Sequence, residues 1–178
     1  MKLSLSHLAF TAMTIALTAC HSMPAQPTTS APATLQVPTD QAFAFELAAK
    51  GVQIYSCKAS AKDASRFEWT FVAPEAELFR GNNMDKVGQH GAGPFWAMND
   101  GGRIVGEVVA KADSPNQTAI PWLLLKVKSN ASLGEFASIK SIQRVATFEG
   151  KAPATGCDAM NVGKEARVPY TATYNFFK

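Results

Sequence analysis

A single all-β domain, an antiparallel β-sandwich or barrel carrying one or two short helical turns, is the fold class this 178-residue sequence predicts. Three observations carry the expectation. Apolar residues recur mainly with a period of two, the spacing that puts them on one face of a strand. Roughly six to ten such runs are separated by loops rich in Gly, Pro, Asn and Asp, the punctuation of a sandwich or barrel. No stretch carries the spacing of a long amphipathic helix, and no internal repeat is visible.

Val52 and Ile54 alternate with polar neighbours ahead of Cys57, and Phe67, Trp69 and Phe71 alternate with Arg66, Glu68 and Thr70. Ala73-Pro74-Glu75 is expected to close that second strand, and Pro74 to Phe79 to form one helical turn with Pro at its start. A glycine-rich stretch, Gly88 to Pro94, runs into Phe95-Trp96-Ala97-Met98. Asn99-Asp100-Gly101-Gly102 is a hairpin signal, so Arg103 to Ala110 should return as the antiparallel neighbour. Ile120 to Val127 is the most apolar run of the domain, a strand buried on both faces or one whose start Pro121 fixes. Ser141 to Phe148 and Val168 to Phe177 complete the set, the last alternating Tyr170, Ala172, Tyr174 and Phe176.

Ahead of the domain, Met1-Lys2 is followed by an apolar run from Leu8 to Leu17 and the small pair Thr18-Ala19 before Cys20. This is the layout of a secretory signal peptide, with an apolar core too short to span a bilayer. Leu17-Thr18-Ala19-Cys20 resembles the lipobox of bacterial lipoproteins. The resemblance implies cleavage before Cys20, lipidation of its sulfur and a place in the cell envelope. With His21 next, where inner-membrane retention usually has Asp, it implies the outer membrane. The alternative is an ordinary signal peptide that leaves Cys20 a free thiol. The expected division is residues 1–19 signal, 20–39 a lipidated, disordered tether, and 40–178 the β domain. Ser22 to Pro38 is free of charge and rich in Pro, Ala, Ser and Thr, a composition that buries little apolar surface. If Cys20 carries lipid, Cys57 and Cys157 remain in an oxidising compartment where a disulfide is expected. Two buried free thiols are the alternative.

Seven motifs occur in order: Gly51-Val-Gln-Ile-Tyr-Ser-Cys57, Trp69-Thr-Phe-Val-Ala-Pro-Glu-Ala76, Gly88-Gln-His-Gly-Ala-Gly-Pro-Phe-Trp96, Asp100-Gly101, Ile120-Pro-Trp-Leu-Leu-Leu125, Ile142-Gln-Arg-Val145 and Val168-Pro-Tyr-Thr-Ala172. Together they resemble a bacterial and fungal family known only as domain of unknown function 3455. The resemblance covers about Ala44 to Phe177 and implies no activity.

The formal charge of +3 comes without a basic cluster, so nucleic acid is not an expected partner. His90 is the one histidine of the domain, His7 and His21 lying ahead of it, so sites built on two or three histidine metal ligands are excluded. Gly88, Gly91 and Gly93 are spaced GxxGxG with Pro94 following, which is not a dinucleotide fingerprint, and there is no G-x-S-x-G. Neither a cofactor nor a metal is expected. Glu68, Asp100, Glu107 and Glu135 could supply a carboxylate pair, yet nothing in their spacing demands it. What remains is a candidate ligand site of His90, Trp96 and Asp100 along one loop-strand-turn unit, with Trp122 and Arg144 from other strands. Against it stand a histidine bonded to a loop carbonyl and tryptophans that serve as core. The expectation is an envelope-tethered β domain binding a small molecule, a glycan or a partner protein. The alternatives are a hydrolase or lyase pairing His90 with a carboxylate such as Asp100, and a purely structural component.

Overall fold

The computed structural model of the chain describes residues 25–81 and 84–178. The expected signal segment and Cys20 lie outside the described residues. Eight strands run β1 Phe43–Ala59, β2 Phe67–Arg80, β3 Asp85–Gly91, β4 Phe95–Met98, β5 Arg103–Ala112, β6 Trp122–Asn130, β7 Ser141–Glu149 and β8 Glu165–Phe177. Each pairs antiparallel with the next, and β1 pairs with β8, so the sheet closes into an up-and-down barrel. The all-β expectation holds, and closure makes the fold a barrel. Every strand has a neighbour on each side, although β3 covers only Ala76–Arg80 of β2 and β4 only Arg103–Val105 of β5.

The two-residue period sorts each strand into inward and outward residues. Leu47, Ala49, Ala76, Leu78, Trp96, Ile104, Leu125, Ile142, Tyr170, Ala172, Tyr174 and Phe176 fill the interior. One end is plugged by a 3₁₀ turn, Gly134–Ser138, in the β6–β7 connection, whose Phe136 is fully buried and stacks on Phe45. Gly106 makes room for the large interior ring: a Cβ there would come within 3.0 Å of Trp96.

The hairpin expected at Asn99 to Gly102 joins β4 to β5. Two expectations fail. Pro74 to Phe79 is strand, not a helical turn, because Pro74, Ala76 and Leu78 face inward while Glu75 and Glu77 face out, a period of two. Pro74 is tolerated beside a bulge, where the register steps between Ile54 and Tyr55 and passes over Val72. This bulge shifts the phase, so Phe67, Trp69 and Phe71 share a side with Pro74, Ala76 and Leu78 although the two sets are out of step in sequence.

The second correction concerns the stretch read as a disordered tether. From Thr28 on it is a strap laid over the outer face of the barrel. Thr28 donates to the Glu46 carboxylate at 2.9 Å, and Ala33–Leu35 forms a 3₁₀ turn. Leu35 is fully buried with Ala31 and Val145, against Ala110, Ala112, Trp122 and Leu124. Its carbonyl accepts a 2.7 Å bond from Gln143 Nε2. The strap explains why Trp122 to Leu125 is apolar without a break: Leu125 packs in the interior core with Leu123 against it, while Trp122 and Leu124 face outward beneath the strap.

Cys57, on β1, is joined to Cys157, in the β7–β8 connection, by the expected disulfide, with the Cα atoms 5.3 Å apart. The same connection is held by Trp69 Nε1 donating to the Thr155 carbonyl at 2.9 Å and by backbone bonds between Cys57 and the segment Gly163–Lys164.

Candidate functional site

At the end of the barrel opposite the Phe136 plug, beside the β3–β4 turn, lies a cavity of about 190 Å³. Its walls are apolar: Phe71, Val72 and Pro74 from β2, Pro94 from the turn, Val108 from β5, Leu123 and Leu125 from β6. His90, Trp96, Arg144 and Tyr174 complete the lining, the polar atoms of Trp96 and Tyr174 being buried beneath it. The register places them together, since His90 pairs with Trp96 across β3 and β4, and Arg144 with Tyr174 across β7 and β8.

His90 is buried and its ring lies over Trp96, centroids 4.5 Å apart and planes 22° from parallel, with Tyr174 at 5.0 Å. Its Nδ1 is 2.7 Å from the Phe95 carbonyl oxygen. A carbonyl only accepts, so Nδ1 carries the hydrogen and the neutral ring keeps its lone pair on Nε2. Burial pushes the imidazole down to about 4, the Arg144 charge acting in the same direction and the Phe95 bond against it. His90 is therefore a neutral acceptor at ordinary pH.

Arg144 is half-buried. Its Nε and one terminal nitrogen both donate to the Pro121 carbonyl, at 3.1 and 2.8 Å, which fixes the plane of the guanidinium. Among the described residues no carboxylate pairs with it, and none lines the cavity. Tyr174 and Tyr170 lie near this guanidinium, and burial pushes both hydroxyls up, so they stay protonated. By distance and angle neither hydroxyl closes a hydrogen bond with a described residue, nor do Trp96 Nε1 and Gln53 Nε2. The Tyr174 hydroxyl nevertheless lies between Arg144 and Tyr170, and Tyr170 beside Gln53, so the four groups are near neighbours of one another or of the cavity lining.

Of the five residues singled out from sequence, the fold brings together His90, Trp96 and Arg144. Asp100 is at the other end of the barrel. It accepts bonds from the backbone N–H groups of Glu135 and Gly102 at 2.9 and 2.8 Å, which hold its carboxyl below the usual range and tie the plug to the β4–β5 turn. Trp122 faces outward beneath the strap. Tyr174 is the cavity residue that sequence reasoning missed. Its alternation with Tyr170 and Phe176 marked the correct face of β8, but only barrel closure shows that this face meets Arg144.

The family described as "Protein of unknown function (DUF3455)" matches residues 38–178. The chain belongs to that family. Curated proteins gave no match, and neither did solved structures. The matched span takes in every strand and every residue of the cavity, so the site lies wholly within the family's domain. It leaves out most of the strap.

Proposed function

We propose that this DUF3455 protein is an envelope lipoprotein whose barrel binds one small apolar molecule bearing a polar end. The observation that carries the reading is the cavity itself: apolar walls around a few converging polar groups, the usual make-up of a small-molecule site. The half-buried Arg144 supports it, because among the described residues no carboxylate pairs with its charge. The volume favours a ring-sized guest over a glycan chain. An apolar cavity of about 150 Å³ holds benzene. The hydrolase or lyase reading has less support, since no carboxylate stands at the cavity to work with His90. Attachment through lipid on Cys20 would hold the barrel at the membrane surface of the envelope, which fixes where the ligand is met.

The test is a thermal-shift screen of the chain against small aromatic and aliphatic compounds, with Trp96→Ala, His90→Ala and Asp100→Ala in parallel. A ligand at about 100 times its Kd adds roughly 2.7 kcal/mol and several degrees of Tm. The shift is expected to disappear in the first two variants and to persist in Asp100→Ala. Shifts retained in both cavity variants would rule the cavity out. Labelling of cells with tritiated palmitate, lost in Cys20→Ala, checks the anchor.

A further inference from the structure

Arg144 is the one charged side chain that lines the cavity. It commits Nε and one terminal nitrogen to the Pro121 carbonyl, and the Tyr174 hydroxyl lies beside it without closing a hydrogen bond. Among the described residues no carboxylate pairs with it. His90 Nε2, on a neutral ring, is an acceptor, and the Tyr174 hydroxyl can donate or accept. A site whose single charge is an unpaired guanidinium is complementary to a group with several lone pairs and one negative charge.

Resting on the binding reading above, we propose that the ligand is an organic monoanion, a ring-sized carboxylate, its acid end on Arg144 and its apolar body against Phe71, Pro74 and Leu125. One guanidinium in an apolar surround neutralises one charge, and a second would be left unpaired. The planar fork of Arg144, already oriented by Pro121, suits two oxygens of one carboxylate. The cavity of about 190 Å³ exceeds the space benzene needs by about one small substituent.

The experiment compares benzoate, benzamide and toluene as probes on the full chain, by calorimetry and by the change in tryptophan fluorescence on titration. Benzoate is expected to bind about ten- to a hundredfold more tightly than benzamide, the ratio a charge-assisted hydrogen bond supplies. In Arg144→Met this advantage should collapse while toluene binding changes little, and Arg144→Lys should restore part of it. Circular dichroism establishes that each variant is folded, and the wild-type comparison needs no variant. Benzamide binding as tightly as benzoate, or benzoate keeping its advantage in folded Arg144→Met, overturns the carboxylate assignment and leaves the cavity as the binding site. Failure of all three probes to bind overturns both.

Discussion

A neutral imidazole whose Nδ1 hydrogen is held by a backbone carbonyl offers the lone pair on Nε2, and His90 meets this description from ordinary pH down to about 4. Its folded value lies below the unfolded one of about 6.5. The unfolded chain therefore binds the extra proton first, and stability is complete above about pH 6.5 and falls as pH drops toward 4. The whole effect is on the order of 3 kcal/mol. Urea denaturation at pH 7 and pH 4.5 should show the loss in the wild type and a smaller one in His90→Phe, which keeps the stacking on Trp96 without a titrating group. Equal losses in both would mean that the acid sensitivity comes from elsewhere. His90, Trp96 and Arg144 were legible in sequence as the scarce polar and aromatic groups of an otherwise plain domain. Asp100 was misjudged because one residue carried two signals, and the turn signal of Asn99 to Gly102 accounts for it entirely: its oxygens are spent on Gly102 and Glu135. Trp122 was misjudged for another reason. A strand apolar on both faces does not reveal which face is the lumen.

At the scale of elements, the strap and β2 are where composition misled. Ser22 to Pro38 has the make-up of a spacer, but Leu35 needs only a small apolar patch, and β5, β6 and β7 provide one on their outer face. Docking also satisfies Gln143, whose buried amide reaches the Leu35 carbonyl. Leu35→Ala is expected to release the strap before it unfolds the barrel, since local opening costs less than global unfolding. The loss should be about 2–3 kcal/mol, the low end of the range for truncating a buried leucine, because the strap is free to rearrange. Limited proteolysis would read it as new cleavage between Ala25 and Gln41, with the barrel fragment intact. An unchanged digestion pattern would mean that Leu35 does not hold the strap. In β2, the alternation of Pro74, Ala76 and Leu78 was present in the sequence. A proline followed by Glu-Ala-Glu outweighed it, because proline is rare inside a strand unless a bulge adjoins it.

For the whole molecule, the all-β class and seven of the eight strands followed from periodicity and turn residues; β3, read only as a glycine-rich stretch, did not, and closure followed from neither. Closure depends on β1 meeting β8, a contact between segments at opposite ends of the domain, and no local pattern reports it. Cysteine arithmetic came nearest, because Cys57 and Cys157 tie β1 to the connection that precedes β8. By chain entropy, a cross-link over 100 residues contributes at most about 4.7 kcal/mol. The Trp69–Thr155 bond and the backbone bonds at Cys57 already hold this region. A double Cys57→Ala, Cys157→Ala variant should therefore lose about 2–3 kcal/mol, in the lower part of the usual range. The denaturation midpoint measures it, and a variant as stable as the wild type would show that the other bonds suffice.

The pairing of β1 with β8 also sets a timetable. During synthesis β1 emerges early, and roughly a hundred residues follow before β8 can cover its free side. At about 5–20 residues per second that is on the order of 5–20 s during which a 17-residue strand presents an unpaired edge. Cys157 precedes β8 in the chain, so wherever the surroundings are oxidising the bridge can form first and hold β1 beside the place where its last neighbour will arrive.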